Sequence, residues 1–102
     1  VDVNAKDNQG RTPLMGAVKK DSEAIVKSLL GTNKVDVNSK DNQGQTPLLF
    51  AIGNDSGDMV KILLETNKVD INSKDNYGMT PLWQAEEIES EFIIKLLLDS
   101  TS

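Results

Sequence analysis

Cysteine and histidine are both absent from this 102-residue chain, and its aromatic residues are one Trp, one Tyr and two Phe. Without cysteine there is no disulfide framework and no thiolate metal site, which points toward a reducing, intracellular and cytoplasmic setting. Without histidine or cysteine the usual catalytic triads and most zinc sites cannot be assembled, leaving carboxylates as the only groups for acid or base work. The chain is therefore read as a non-enzyme with no cofactor and no metal. Basic residues number 11 against 16 acidic ones, a formal charge of -5. A surface of that sign does not neutralise phosphates, so nucleic acid is excluded as a partner. No apolar run approaches the roughly 18 residues needed to cross a bilayer, and VDVNAKDNQG carries neither the basic start nor the apolar stretch of a secretory signal. A membrane is excluded on the same reading. What remains is a small aliphatic core in a single domain spanning 1–102, where burial is only partial and each leucine counts.

What the chain does have is repetition. KDNQG stands at 6–10 and again at 40–44, and KDNYG follows at 74–78. Cut at 34 residues, the sequence falls into three ungapped copies, 1–34, 35–68 and 69–102. The first two agree at 22 of 34 positions and the last two at 16, so one structural unit occurs three times.

Each copy carries the same local signals. Asp7, Asp41 and Asp75 are followed three residues on by Gly10, Gly44 and Gly78, the Asp-first, Gly-fourth pattern of a type I turn. Thr12-Pro13, Thr46-Pro47 and Thr80-Pro81 then mark a helix start, with a hydroxyl to cap a free N–H and a proline where the missing donor costs nothing. The first helix presents Leu14, Ala17 and Val18, or Leu48, Ala51 and Ile52, on one face. Ser22, Ser56 and Ser90 offer a second N-cap, after which Ile25, Val26, Leu29 and Leu30 recur as Met59, Val60, Leu63 and Leu64 and as Ile93, Ile94, Leu97 and Leu98. Asn33 and Asn67 stand just past the second helix, where asparagine can take the left-handed conformation. A helix pair with one apolar side must bury it against its neighbour, which predicts a solenoid with neighbour-only contacts. In such a stack Leu64→Ala in the middle copy costs more than the same change at Leu98.

DNQGRTPLMGA, DNQGQTPLLFA and DNYGMTPLWQA, each followed by IVKSLL, MVKILL or IIKLLL, with VDVN or VDIN opening each copy, resemble the ankyrin repeat over the whole chain. The resemblance implies an all-α fold, a solenoid of three stacked helix-turn-helix units of 34 residues joined by β-turn hairpin loops. Met15, Leu49 and Trp83 stand where the family favours histidine after Thr-Pro-Leu, so packing must replace any histidine hydrogen bond between repeats. Asp21-Ser22, Asp55-Ser56 and Glu89-Ser90 stand where Gly-His usually separates the helices. Glu86 replaces a small apolar residue in the third copy. The KVDVNSKDN style is similar to long arrays carried by fungal NOD-like signalling receptors.

The resemblance also implies a scaffold for protein–protein interaction, whose partner meets the turn tips and the concave face of the first helices. Carried across by position, this nominates Lys6, Asn8, Gln9, Arg11, Lys19 and Lys20 in the first copy. Lys40, Asn42, Gln43, Gln45, Gly53 and Asn54 follow in the second, and Lys74, Asn76, Tyr77, Met79, Glu87 and Ile88 in the third. Tyr77 and Met79 are the expected anchors, because aromatic and flexible apolar side chains offer area to bury. The plain alternative is that these residues only solvate a structural spacer cut from a longer array, an excision that the start at VDVN, inside a loop, favours.

Charge is unevenly shared. The first copy has six basic and four acidic residues, the second three and five, and the third two and seven, giving +2, -2 and -5. Opposite ends of opposite sign favour head-to-tail self-association. Other motifs are weaker. Asp36, Asn38 and Asp41, with their copies, only faintly suggest a calcium loop, since Lys40 occupies a ligand slot and the turn glycine is misplaced; hydrogen bonding to nearby backbone is their expected role. Glu86, Glu87, Glu89 and Glu91 read as a solvated face, and the Asn54-Asp55-Ser56 sequon as a helix cap.

Overall fold

The computed structural model describes residues 2–100. Six helices and no strand occur among them, in three pairs: α1 (Pro13–Lys19) with α2 (Glu23–Leu30), α3 (Pro47–Gly53) with α4 (Gly57–Leu64), and α5 (Pro81–Glu87) with α6 (Glu91–Asp99). First helices pack on first helices, α1 on α3 and α3 on α5, and within each pair the two helices pack on each other. The result is the expected all-α solenoid, 38 × 27 × 23 Å.

The helices are short because the sequence starts and stops them. Thr12, Thr46 and Thr80 hold extended backbone and accept through Oγ1 from the N–H three residues on, at 3.3, 3.3 and 3.2 Å, with proline next in line. Each first helix ends in the same way. The N–H of Ser22 donates to Ala17 O and that of Asp21 to Val18 O, the paired bonds of a Schellman motif, which needs a left-handed residue at its centre. Asp21 (φ 56°), Asp55 (φ 52°) and Glu89 (φ 56°) supply it. Asn33 and Asn67, both at φ 59°, are left-handed two residues beyond the second-helix caps Gly31 and Glu65, as the sequence suggested. Aspartate tolerates this conformation better than glutamate does, so Glu89→Gly is expected to raise stability by about 1 kcal/mol. Chemical denaturation checks this; an unchanged or lowered midpoint counts against the strain.

The second caps divide. Ser56 and Ser90 accept through Oγ from Met59 and Ile93 N–H, whereas Ser22 occupies the cap position without a side-chain bond. One letter in three equivalent places therefore does not do one job.

Burial follows the stack. Leu14, Val18, Leu48, Ala51, Ile52, Met59, Val60 and Leu63 form the centre of a continuous core that reaches Ala85, Ile93 and Leu97. Ile25 is half exposed although its equivalents Met59 and Ile93 are fully buried, because no repeat precedes the first among the described residues. At the other end Trp83 is half exposed while its equivalents Met15 and Leu49 are fully buried. Leu64 is only partly buried; Leu63 is the inward residue of that turn. Truncation at Leu63 is therefore expected to cost more than truncation at Leu64.

Candidate functional site

The three turns line one side of the molecule as a row of tips. In each, Gly10, Gly44 or Gly78 donates to the aspartate carbonyl three residues back at 3.0 Å, and the aspartate N–H closes the hairpin on residue 11, 45 or 79 at 2.9 to 3.0 Å. The aspartate carboxylate braces the turn from inside: Asp7 Oδ1 accepts from the N–H of Gln9 and of Arg11, both at 2.9 Å, and Asp41 and Asp75 repeat the arrangement. The N–H groups of Arg11 and Gln9 hold the Asp7 carboxyl below the usual carboxylate range.

Successive tips are stitched together. Asn42 N–H donates to Gln9 O and its side-chain amide to Asn8 O, each at 3.0 Å; Asn76 does the same to Gln43 O and Asn42 O. Lys6 Nζ donates to Lys40 O and Lys40 Nζ to Lys74 O, both at 2.9 Å. Gly10 and Gly44 are required twice over, because φ of +76° and +79° is left-handed and a Cβ there would lie 2.5 Å from the next asparagine's Oδ1. A second ladder runs through the loops. Asn4 bonds Lys34 O and Asp36 N, and Asn38 bonds Lys68 O and Asp70 N, at 2.8 to 2.9 Å. These asparagines therefore bridge to the following repeat, not to the nearby backbone expected for them; Asp36 and Asp70 make the local bonds, to Asn38 and Asn72 N–H.

The nominated residues consequently sort into three groups. Asn42, Asn76, Lys6 and Lys40 are exposed but hold neighbouring repeats together. Asn54 belongs with them, since its amide reaches Val18 O at 3.2 Å and Lys19 O at 3.0 Å, which also commits the sequon's nitrogen to the fold. Arg11 is partly buried, with Nε 3.9 Å from Asp41 Oδ2 and the guanidinium 5.5 Å from the centre of the Phe50 ring. Gln45 and Met79 are partly buried too. Asn8, Gln9, Gln43, Lys74 and Tyr77 present side chains at the tips, and Lys19, Lys20, Glu87 and Ile88, with Gly53 between them, form an exposed row at the ends of the first helices. Glu87 Oε1 accepts from Trp83 Nε1 at 3.3 Å.

Large exposed apolar side chains concentrate in the third repeat. Of Ile25, Tyr77, Trp83, Ile88, Phe92 and Leu98, all but the first belong to it, and Tyr77 is 80% exposed. Phe92 was not nominated by the sequence reading. It stands where the other copies have Ala24 and Asp58, so departure from the repeat pattern was the signal available. A groove lined by Asp21, Asp55, Asp58, Ser56 and Phe92 runs past the helix ends, but Ser56 is already engaged, capping α4 and donating to Asp21 at 2.8 Å. No helix among the described residues is long and apolar enough to cross a membrane.

A family model described as ankyrin repeats, in three copies, matches residues 14–102. No curated protein matches the chain. Ankyrin repeats are generally protein–protein interaction modules.

Proposed function

We propose, from the premise that this chain belongs to the ankyrin-repeat family, that it is a non-catalytic module whose turn tips and first-helix ends grip a protein partner. The supporting observation is the gathering of exposed apolar side chains in the third repeat, with Tyr77 80% exposed at its tip. A protein surface that leaves an aromatic ring in water, among polar neighbours, offers the kind of anchor that dominates binding energies. Tyr77 and Ile88 are the contact residues with most to bury, and Gln9, Gln43, Lys19 and Glu87 surround them with polar groups that set orientation. Asn42, Asn76, Lys6 and Lys40 act one step back, by fixing the spacing of the tips. A cytoplasmic setting belongs to the same proposal.

The test is affinity capture by the intact chain, with Tyr77→Ala/Ile88→Ala and, on an exposed position of α4, Lys61→Ala. The double variant is expected to lose at least about tenfold in affinity while Lys61→Ala binds as the parent does. A partner held equally by all three proteins would refute this placement of the surface. The second reading, a structural spacer whose ends associate head to tail, draws support from the +2, -2, -5 run of charge along the stack.

A further inference from the structure

We infer that the acidic end of one copy receives the basic first repeat of a second copy as a fourth repeat, in the register that the chain uses internally. The inference deepens the head-to-tail reading and is independent of the tip-binding one. It rests on translating each contact between neighbouring repeats by 34 residues and asking what meets what at the junction.

The polar stitch survives the translation intact. Asn8 of the second copy is identical to Asn42 and Asn76, so its N–H falls to Tyr77 O and its amide to Asn76 O. Lys74 is identical to Lys6 and Lys40, so its ammonium falls to Lys6 O of the second copy. Neither the Asn8 amide nor the Lys74 ammonium has a hydrogen bond among the described residues, although the equivalent groups elsewhere all do.

The charged contacts supply the choice of partner. Asn54 reaches back to the carbonyls of Val18 and Lys19. Two translations put Lys20 of the second copy in Asn54's place and the backbone carbonyls of Glu86 and Glu87 in theirs, so an ammonium takes the amide's place beside two acidic residues. Val18 and Ile52 are both fully buried by the following repeat. Glu86 in their position is exposed in the single copy, and covering it carries a desolvation cost that the neighbouring Lys20 ammonium offsets. Ser56 Oγ donates to Asp21 at 2.8 Å; at the junction Ser22, the one second-helix cap with no side-chain bond, faces Glu89. Phe50 lies over Arg11; at the junction Gly16 of the second copy and Met79 take those places, a smaller pair that presents no clash.

Such a junction is heterologous and does not close, so it extends into chains of copies and weakens with salt. Sedimentation of the 102-residue chain over rising concentration is expected to show progressive growth at low salt and dissociation at high salt. Lys20→Glu alone, and Glu86→Lys/Glu87→Lys alone, should each associate at least about tenfold more weakly, and an equimolar mixture of the two should regain association because opposite charges again face each other. A parent chain that stays monomeric, a closed dimer that does not grow, or loss without recovery on mixing overturns the inference. Sedimentation of the parent chain does not bear on affinity capture by the tips, Lys20→Glu leaves Tyr77, Ile88 and Glu87 in place, and the charge variants' circular dichroism separates lost association from lost folding.

Discussion

Leu63→Ala is expected to remove roughly 2 to 5 kcal/mol of stability. Leu63 is fully buried in the middle repeat, where α4 packs on α3 and on α6. Its removal leaves a hole that the flanking repeats cannot close without separating from each other. Leu98→Ala, at a half-exposed position of the last helix, is expected to cost about 1 kcal/mol, since much of that side chain keeps its contact with water in the folded state. Leu64, partly buried on the same turn, falls between them. Urea titrations of the three variants check the order; equal losses at Leu63 and Leu98 would contradict a layered core.

Gly44→Ala is expected to cost roughly 2 to 4 kcal/mol, and Gly78→Ala only about 1 to 2. Both glycines have nearly the same backbone, φ +79° and +81°, so the strain of placing an L side chain in the left-handed region, about 1 to 2 kcal/mol, is common to both. The difference lies in what the new methyl meets. At Gly44 it would stand 2.5 Å from Asn76 Oδ1 and 2.7 Å from Asn76 N, with the Asp75 carbonyl carbon at 3.1 Å, while at Gly78 there is open space. Backbone cannot yield as a flexible side chain can, so the third tip must draw away and forfeit the bond from Asn76 N–H to Gln43 O, worth about 1 kcal/mol. Comparing the two variants isolates the inter-repeat contact from the conformational preference. Identical destabilisation would mean the tips do not press on one another.

These two predictions also show where sequence reading succeeds and where it stops. The turn at Asp41 to Gly44 and the Thr46-Pro47 helix start were legible because each depends on residues within four positions of one another. Asn33 and Asn67 were legible for the same reason, asparagine being an accepted left-handed residue. Asp21, Asp55 and Glu89 were not recognised as left-handed, although aspartate tolerates that conformation, because the bonds that demand it arise only once the second helix turns back. Leu63 and Leu64 both belong to the apolar side of α4, and helical spacing alone does not rank the fully buried Leu63 above the partly buried Leu64.

Among the nominated contact residues, the limit was of another kind. Asn42 and Lys40 were chosen as exposed polar groups at a tip, and exposed they are, yet their hydrogen bonds run to residues about 34 positions away. Nothing local distinguishes an asparagine that greets a partner from one that fastens a neighbour. The repetition did contain the hint, because Asn8, Asn42 and Asn76 are identical while Gln9, Gln43 and Tyr77 are not. A residue that serves every boundary of the stack is needed in every copy, whereas Asn54, which serves one boundary, and a residue serving a partner are free to change.

Amide hydrogen exchange at three equivalent positions tests the stacking itself, in dilute solution at high salt so that copies remain apart. Asn42 and Asn76 N–H donate across a repeat boundary at 3.0 Å, whereas Asn8 N–H has no repeat before it among the described residues. Slow exchange at Asn42 and Asn76 beside fast exchange at Asn8 is the predicted result. Fast exchange at all three, or protection of Asn8 equal to the others, would contradict it.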